Sequence, residues 1–259
     1  MRLYDVHAHL ADERLTARLD TVLAEAVAAG VHGILACAAR LHEWERITAL
    51  SRQPGILGAL GLHPFFVQDA PDDLDHRLRQ HLAGQPRLAA VGEIGLDFWK
   101  GRDNAARQHA VFAGQLAVAR DLDLPVVVHN RRSWGDFFGI LRDAGVSHLR
   151  GVCHCFNGSR EIARQVLDHG LLVSFCGPIT YGNARRIREA AAYVPLGCIL
   201  TETDCPDLPP EPFRGQLSLP WHVRYVVEAI AAVKGLSPAA VAAQVEANYH
   251  RLLGIRPAA

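Results

Sequence analysis

Eight short apolar runs, each followed by a stretch of helical periodicity, constrain this chain more than any other feature. The runs are residues 3–7, 33–37, 55–61, 88–93, 125–129, 151–154, 171–174 and 198–202. Helical stretches at 14–29, 41–52, 74–82, 105–120, 134–144, 161–167, 184–192 and 221–233 alternate with them, and one extra helix runs from Pro238 to Leu253. Parallel strands need a crossover, so strict alternation implies a parallel sheet with helices on its faces. Val126, Val127 and Val128 are continuous and β-branched, as in a strand covered on both sides. Eight such units in 259 residues fit a closed (β/α)8 TIM barrel, expected here as one domain over residues 1–259. No Gly-x-Gly-x-x-Gly opens a helix, which counts against an open dinucleotide-binding sheet.

Composition narrows the function classes. Lys plus Arg equals Asp plus Glu at 27 each, so no broad basic face is available for a sequence-blind grip on nucleic acid. A phosphate substrate held by metal stays open. No apolar run approaches the roughly 18–20 residues of a membrane helix, and no signal peptide is expected ahead of the first strand. The expectation is a cytoplasmic protein with no membrane association and no obligate protein partner. Cys37, Cys153, Cys155, Cys176, Cys198 and Cys205 form no Cys-x-x-Cys pair and are expected to be reduced.

In a (β/α)8 barrel the active site lies at the C-terminal ends of the strands. The residues expected there are His7 and His9 from strand one, His63 from three, Glu93 from four, His129 from five, His154 from six and Asp204 from eight. His7 and His9 are two apart on one strand and so share a face. His7, His9, Glu93, His129, His154 and Asp204 are all ligands for Zn, Mn, Mg, Fe or Ni. A single structural zinc needs four donors. Six, with Glu93 in the middle, suit two divalent ions about 3.5–4 Å apart that share a hydroxide and clamp the attacking and leaving oxygens. The two lysines, Lys100 and Lys234, fall on a loop and at a helix end, so no lysine is placed to bridge and Glu93 takes that role.

Other groups are expected around this centre. Asp204 would bind metal and take the proton of the attacking water, acting with Glu93 as the catalytic pair. His63 and Arg131 would contact substrate, Arg131 through a forked pair of donors suited to phosphate. Phe65, Phe66, Phe98 and Trp99 are candidates to stack on a base. Strand alternation turns Cys153 and Cys155 away from His154, towards the helices, and Cys205 is placed beside the mouth without binding metal. The remaining nine histidines, His32, His42, His76, His81, His109, His148, His169, His222 and His250, fall at strand starts, in helices or in loops and read as exposed or structural.

Six motifs in order, Asp5-Val6-His7-Ala8-His9-Leu10, Gly61-Leu62-His63-Pro64, Gly92-Glu93-Ile94-Gly95-Leu96-Asp97, His129-Asn130-Arg131, His154-Cys155-Phe156-Asn157-Gly158 and Glu202-Thr203-Asp204-Cys205-Pro206, resemble those of TatD-type metal-dependent hydrolases. The resemblance covers essentially the whole chain, including Asn248 in the last helix. It departs at Pro206-Asp207, where many members carry Pro-Tyr. It implies an amidohydrolase-type barrel whose metal positions match His7, His9, Glu93, His129, His154 and Asp204. It also implies deoxyribonuclease activity that removes nucleotides from a 3′ end, with nucleic acid or another phosphodiester as a transient partner. The alternative within enzymes is an amide or ester hydrolase acting on a small molecule or an acyl-nucleotide. Outside enzymes, the rival is a metal-binding scaffold, which loss of any one ligand would favour.

Overall fold

Each apolar run becomes a strand, and all eight join one parallel sheet in chain order. They are β1 Leu3–Ala8, β2 Val31–Cys37, β3 Ile56–Leu60, β4 Leu88–Asp97, β5 Val126–Arg131, β6 Gly151–Cys153, β7 Leu172–Phe175 and β8 Ile199–Thr201. The helices between them are α1 Glu13–Thr16, α2 Leu19–Ala28, α3 Trp44–Leu50, α4 Leu74–Leu82, α5 Ala105–Asp121, α6 Trp134–Asp143, α7 Arg160–Asp168, α8 Arg185–Tyr193, α9 Val223–Lys234 and α10 Pro238–Leu253. This is a computed structural model that describes residues 1–255; of the expected 1–259 domain, residues 256–259 lie outside the described part. The architecture is the expected (β/α)8 TIM barrel.

Neighbouring strands pair by parallel ladders from β1 to β8. The seam between β8 and β1 is closed differently. Thr201 Oγ1 donates to the Tyr4 carbonyl at 2.8 Å, Asp204 N donates to the His7 carbonyl at 3.1 Å and His9 N to the Cys205 carbonyl at 2.7 Å. The buried Asp5 carboxylate stitches the same seam, accepting from His7 N and from both the N–H and the hydroxyl of Thr203. Closing the sheet removes its edges and sets His7, His9 and Asp204 side by side.

The helices bury one stripe each. In α4, Leu74, Leu78 and Leu82 recur at i, i+4, i+8 and are the buried residues. The expected helix at 14–29 is broken at Ala17–Arg18 into α1 and α2, with Asp12 capping α1. The expected helix at 41–52 begins as a 3-10 turn, Leu41–Glu43, before α3. Among the described residues no single helix is long and apolar enough to cross a membrane.

Two buried glutamines on α5 tie strand ends to the helix layer. Gln115 accepts from Leu62 N at 2.7 Å and donates to the Leu62 carbonyl at 3.2 Å. Gln108 does the same to Asp97, at 2.8 and 2.9 Å. A buried amide that satisfies both backbone groups of one residue fixes that residue's position. The residues so fixed adjoin His63 and end β4. At the other end of the barrel, Asn248 on α10 donates to the carbonyls of Leu196 and Ile199, holding the start of β8.

Candidate metal centre

All six expected donors converge at the C-terminal mouth. His7 Nε2, His9 Nε2, Glu93 Oε2 and Asp204 Oδ1 form one group, in which each imidazole nitrogen lies 3.1–3.5 Å from the other donors. Glu93 Oε1 faces a second group, 2.8 Å from His129 Nδ1 and 2.7 Å from His154 Nε2, which are 3.2 Å apart. A tetrahedral ion with bonds of roughly 2.0–2.1 Å spaces its donors about 3.3–3.4 Å apart. The first group has that spacing and the second is closer. The two oxygens of one carboxylate therefore face two separate donor sets, the arrangement a bridging ligand requires.

The hydrogen-bonding state of these side chains fits ions. Glu93 is buried, and its Oε2 has no hydrogen-bond partner. An ionised oxygen left without a donor would be costly unless a cation met it. His9 directs Nδ1 at the Cys37 carbonyl, 3.2 Å away, and His129 directs Nε2 at Asp97 Oδ2, 2.8 Å away. Each contact holds the ring proton on that nitrogen and leaves the other nitrogen's lone pair aimed inward. His154 points Nδ1 towards Glu202 Oε1, at 3.7 Å.

Electrostatics follow from burial and proximity. Burial pushes Glu93 up, but His63, His154 and His7 outweigh it and hold the carboxyl well below its ordinary range. Asp204 is likewise driven far down: burial opposes ionisation, and contacts with His7 and His9 overcome it. Both stay ionised over any working pH, as ligands should. His63 goes the other way, held down to about 3 chiefly by burial. Its Nδ1 accepts from Phe65 N at 3.1 Å, so the ring is neutral with its proton on Nε2, 3.5 Å from Glu93 Oε1. His63 is thus a fixed donor at the mouth.

A cavity of about 610 Å³ opens above the donors, lined among others by Arg40, His63, Phe65, Phe66 and Arg131. Trp99 is 49% exposed at the same rim, with the guanidinium groups of Arg131 and Arg132 each 4.1 Å from its ring centre. Phe65 is 41% exposed with Lys100 5.0 Å over its ring, and Arg40 covers Phe66.

Several expectations need correction. Phe98 is buried under Arg102 and cannot stack on a ligand. Cys205 is fully buried, because His9 and Ala8 pair with its backbone at the seam. Cys155 does line the cavity, since β6 ends at Cys153 and Cys155 takes a positive φ of 43° that breaks the strand alternation. Glu93 lies inside β4, which runs on to Asp97. Sequence reasoning passed over Asp97, Glu202, Gln108 and Gln115. Asp97 and Glu202 stand in the quoted motifs, and each contacts a histidine only through the fold.

A (β/α)8 barrel with this donor set at its C-terminal mouth belongs to the class of metal-dependent hydrolases. The family model described as "TatD related DNase" matches residues 4–254, and the chain belongs to that TatD family. It is 38% identical, over 98% of its length and 97% of the relative's, to the uncharacterized metal-dependent hydrolase YcfH of Escherichia coli K12. The 3′-5′ ssDNA/RNA exonuclease TatD of Salmonella typhimurium is 31% identical over 98% of this chain and 99% of the relative. The crystal structure of YJJV, a TatD homolog from Escherichia coli K12, superposes with a TM-score of 0.93 at 30% identity, covering 98% of this chain and 99% of that one.

Proposed function

We propose that this hydrolase cleaves phosphodiester bonds of single-stranded nucleic acid, removing nucleotides from the 3′ end as a cytoplasmic enzyme. The observation that carries the reading is the composition of the mouth: a six-donor centre lies directly below a rim of guanidinium groups and exposed aromatic rings. Guanidinium groups match phosphate oxygens, and exposed rings take bases without regard to sequence.

His7, His9, Glu93 and Asp204 would hold one divalent ion, and Glu93, His129 and His154 the other. Bound there, the ions supply positive charge that acidifies water and offsets charge on the phosphoryl oxygens. The chain's own groups do the rest. Asp204, ionised and on the cavity wall, takes a proton from the attacking water. His63 donates its Nε2–H to a phosphate oxygen or to the leaving group. Arg131 offers paired N–H donors to the adjacent phosphate while stacked on Trp99, which fixes its plane. Phe65 presents a face to the terminal base.

A second reading, amide or ester hydrolysis of a small molecule, has its own support. The cavity wall after β6, β7 and β8 includes an apolar patch of Phe156, Pro178, Ile179 and Leu208. One panel separates the two: metal-loaded protein with a 3′-labelled single-stranded oligonucleotide, a bis-nitrophenyl phosphate and a set of cyclic amides, and Glu93→Ala as the blank. Release of the label as a mononucleotide supports the nuclease; turnover of the amides alone sinks it. Full turnover by Asp204→Asn with metal bound would remove Asp204 as the base.

A further inference from the structure

Beside the Glu93 centre, and touching it where Glu202 meets His154, stands a second cluster whose two thiols the proposed reaction does not use. Cys155 follows β6 and Cys176 follows β7, and these strands pair in register, Val152 with Leu172 and Cys153 with Val173. The pairing brings the two thiols together at the strand ends. Glu202, just past β8, reaches under them. One donor atom from each of Cys155, Cys176 and Glu202 lies within 4.8 Å of the others.

Glu202 is fully buried, and among the described residues no Lys or Arg pairs with it; its nearest basic group is His154 Nδ1, at 3.7 Å. It is held instead by neutral donors, the Cys155 backbone N–H on one oxygen and the Ser174 hydroxyl, at 2.8 Å, on the other. Among the described residues the basic group within 4 Å is the His154 imidazole, whose Nε2 already faces Glu93 at 2.7 Å, so no Lys or Arg offsets this buried charge. The two sulfurs next to it are soft donors, and both cysteines line the cavity. That gives a cation a way in from solvent and an open position on the cavity side. Ser174 and the Cys155 backbone already orient the carboxylate, as partners behind a ligand do.

We propose that Cys155, Cys176 and Glu202 form a separate binding site for one soft divalent cation of the Zn2+ or Cd2+ class, in the cavity wall next to the Glu93 centre. For Zn2+, metal–sulfur bonds of about 2.3 Å and metal–oxygen bonds of about 2.0–2.2 Å would draw the three donors slightly inward. The thiols leave their protons to solvent as the metal–sulfur bonds form, and no oxidant or reductant takes part. The occupant ties the ends of β6, β7 and β8 together. The site stands whether or not the substrate is nucleic acid.

The test loads the Glu93 centre with Mn2+, a harder ion, and then titrates the whole protein with Cd2+. Thiolate-to-cadmium charge transfer gives an ultraviolet band that imidazole and carboxylate ligands do not. One equivalent of that band is expected, lost in Cys176→Ser and retained in Cys198→Ser. A band that disappears in Cys198→Ser and survives in Cys176→Ser, or no band at all, overturns the proposal. In the unaltered protein, Cd2+ at ten times its dissociation constant should slow alkylation of Cys155 about tenfold, as mass action requires, read by peptide mass spectrometry. Alkylation of Cys155 at an unchanged rate overturns it equally, and this arm needs no variant to fold.

Discussion

Asp97 shows how much of a site can sit one bond away from the ligands. Its carboxylate accepts from His129 Nε2 at 2.8 Å and from Trp99 N at 2.8 Å, so it holds a ligand and a rim residue at once. Asp97→Asn keeps the shape and removes the charge. It is expected to weaken metal binding by about 10–100-fold, the usual cost of losing a ligand's outer partner, measured by competition with a chromogenic chelator; unchanged affinity would show that packing alone sets the His129 ring. Away from the centre, His222 is buried and stacked on Phe213 at 4.2 Å, with Nδ1 accepting from Leu219 N. Burial lowers it to about 4 from 6.5. The unfolded chain therefore binds more protons than the folded one between those values. Stability from this group is full above pH 6.5 and declines as pH falls towards 4, by about 2 kcal/mol at pH 5. Urea midpoints at pH 7 and pH 5 should differ less in His222→Asn than in the unaltered protein; parallel pH slopes would reject the assignment.

Among the elements, β4 carries the most. It is buried along all ten residues and contains Glu93 in its middle and Asp97 at its end. Its register against β5 shifts between Val91 and Ile94, a bulge that re-aims Glu93 across the mouth. Gly95 follows with φ 147°, and a Cβ there would lie on the His129 carbonyl. Gly95→Ala is therefore expected to cost about 2–3 kcal/mol, combining a φ that L-residues avoid with displacement of β5, and to lower metal content through His129. Denaturant titration and metal analysis read the two effects; a folded variant of ordinary stability with full metal would mean that β5 moves aside freely. The strand's length was not legible in the sequence: the apolar run read as a strand over 88–93, whereas β4 continues through Gly95 to Asp97. Its glycines are the points where backbones approach closely, Gly92 against Val127 and Gly95 against His129. Cys155 misled in a similar way. Alternation holds only while the chain is a strand, and β6 is three residues long.

At the scale of the molecule, six charged or polar donors are gathered inside a closed barrel. Ions that bind them only in the folded state should stabilise it. At a thousandfold excess over the dissociation constant the gain is about 4 kcal/mol, or roughly 8–16 °C in Tm for a chain of this size. Calorimetry with and without chelator checks this, and a Tm indifferent to chelation would sink the six-donor centre as an ion site. What the order of residues determined by itself is the alternation of strands and helices, the barrel, and the grouping of His7, His9, Glu93, His129, His154 and Asp204 at its C-terminal mouth. Those follow from local periodicity and from the rule that parallel barrels present their loops at one end. What only the tertiary structure decided is how the donors divide into two sets around Glu93, and which outer groups aim them. It also decided where the candidate aromatic rings lie: Phe65 and Phe66 line the cavity, Trp99 is exposed beside Arg131, and Phe98 is buried. These depend on the bulge in β4, on the seam closed through Asp5 and Thr203, and on a turn at Cys155. Each is set by contacts between residues far apart in the chain, whose distances no local pattern encodes.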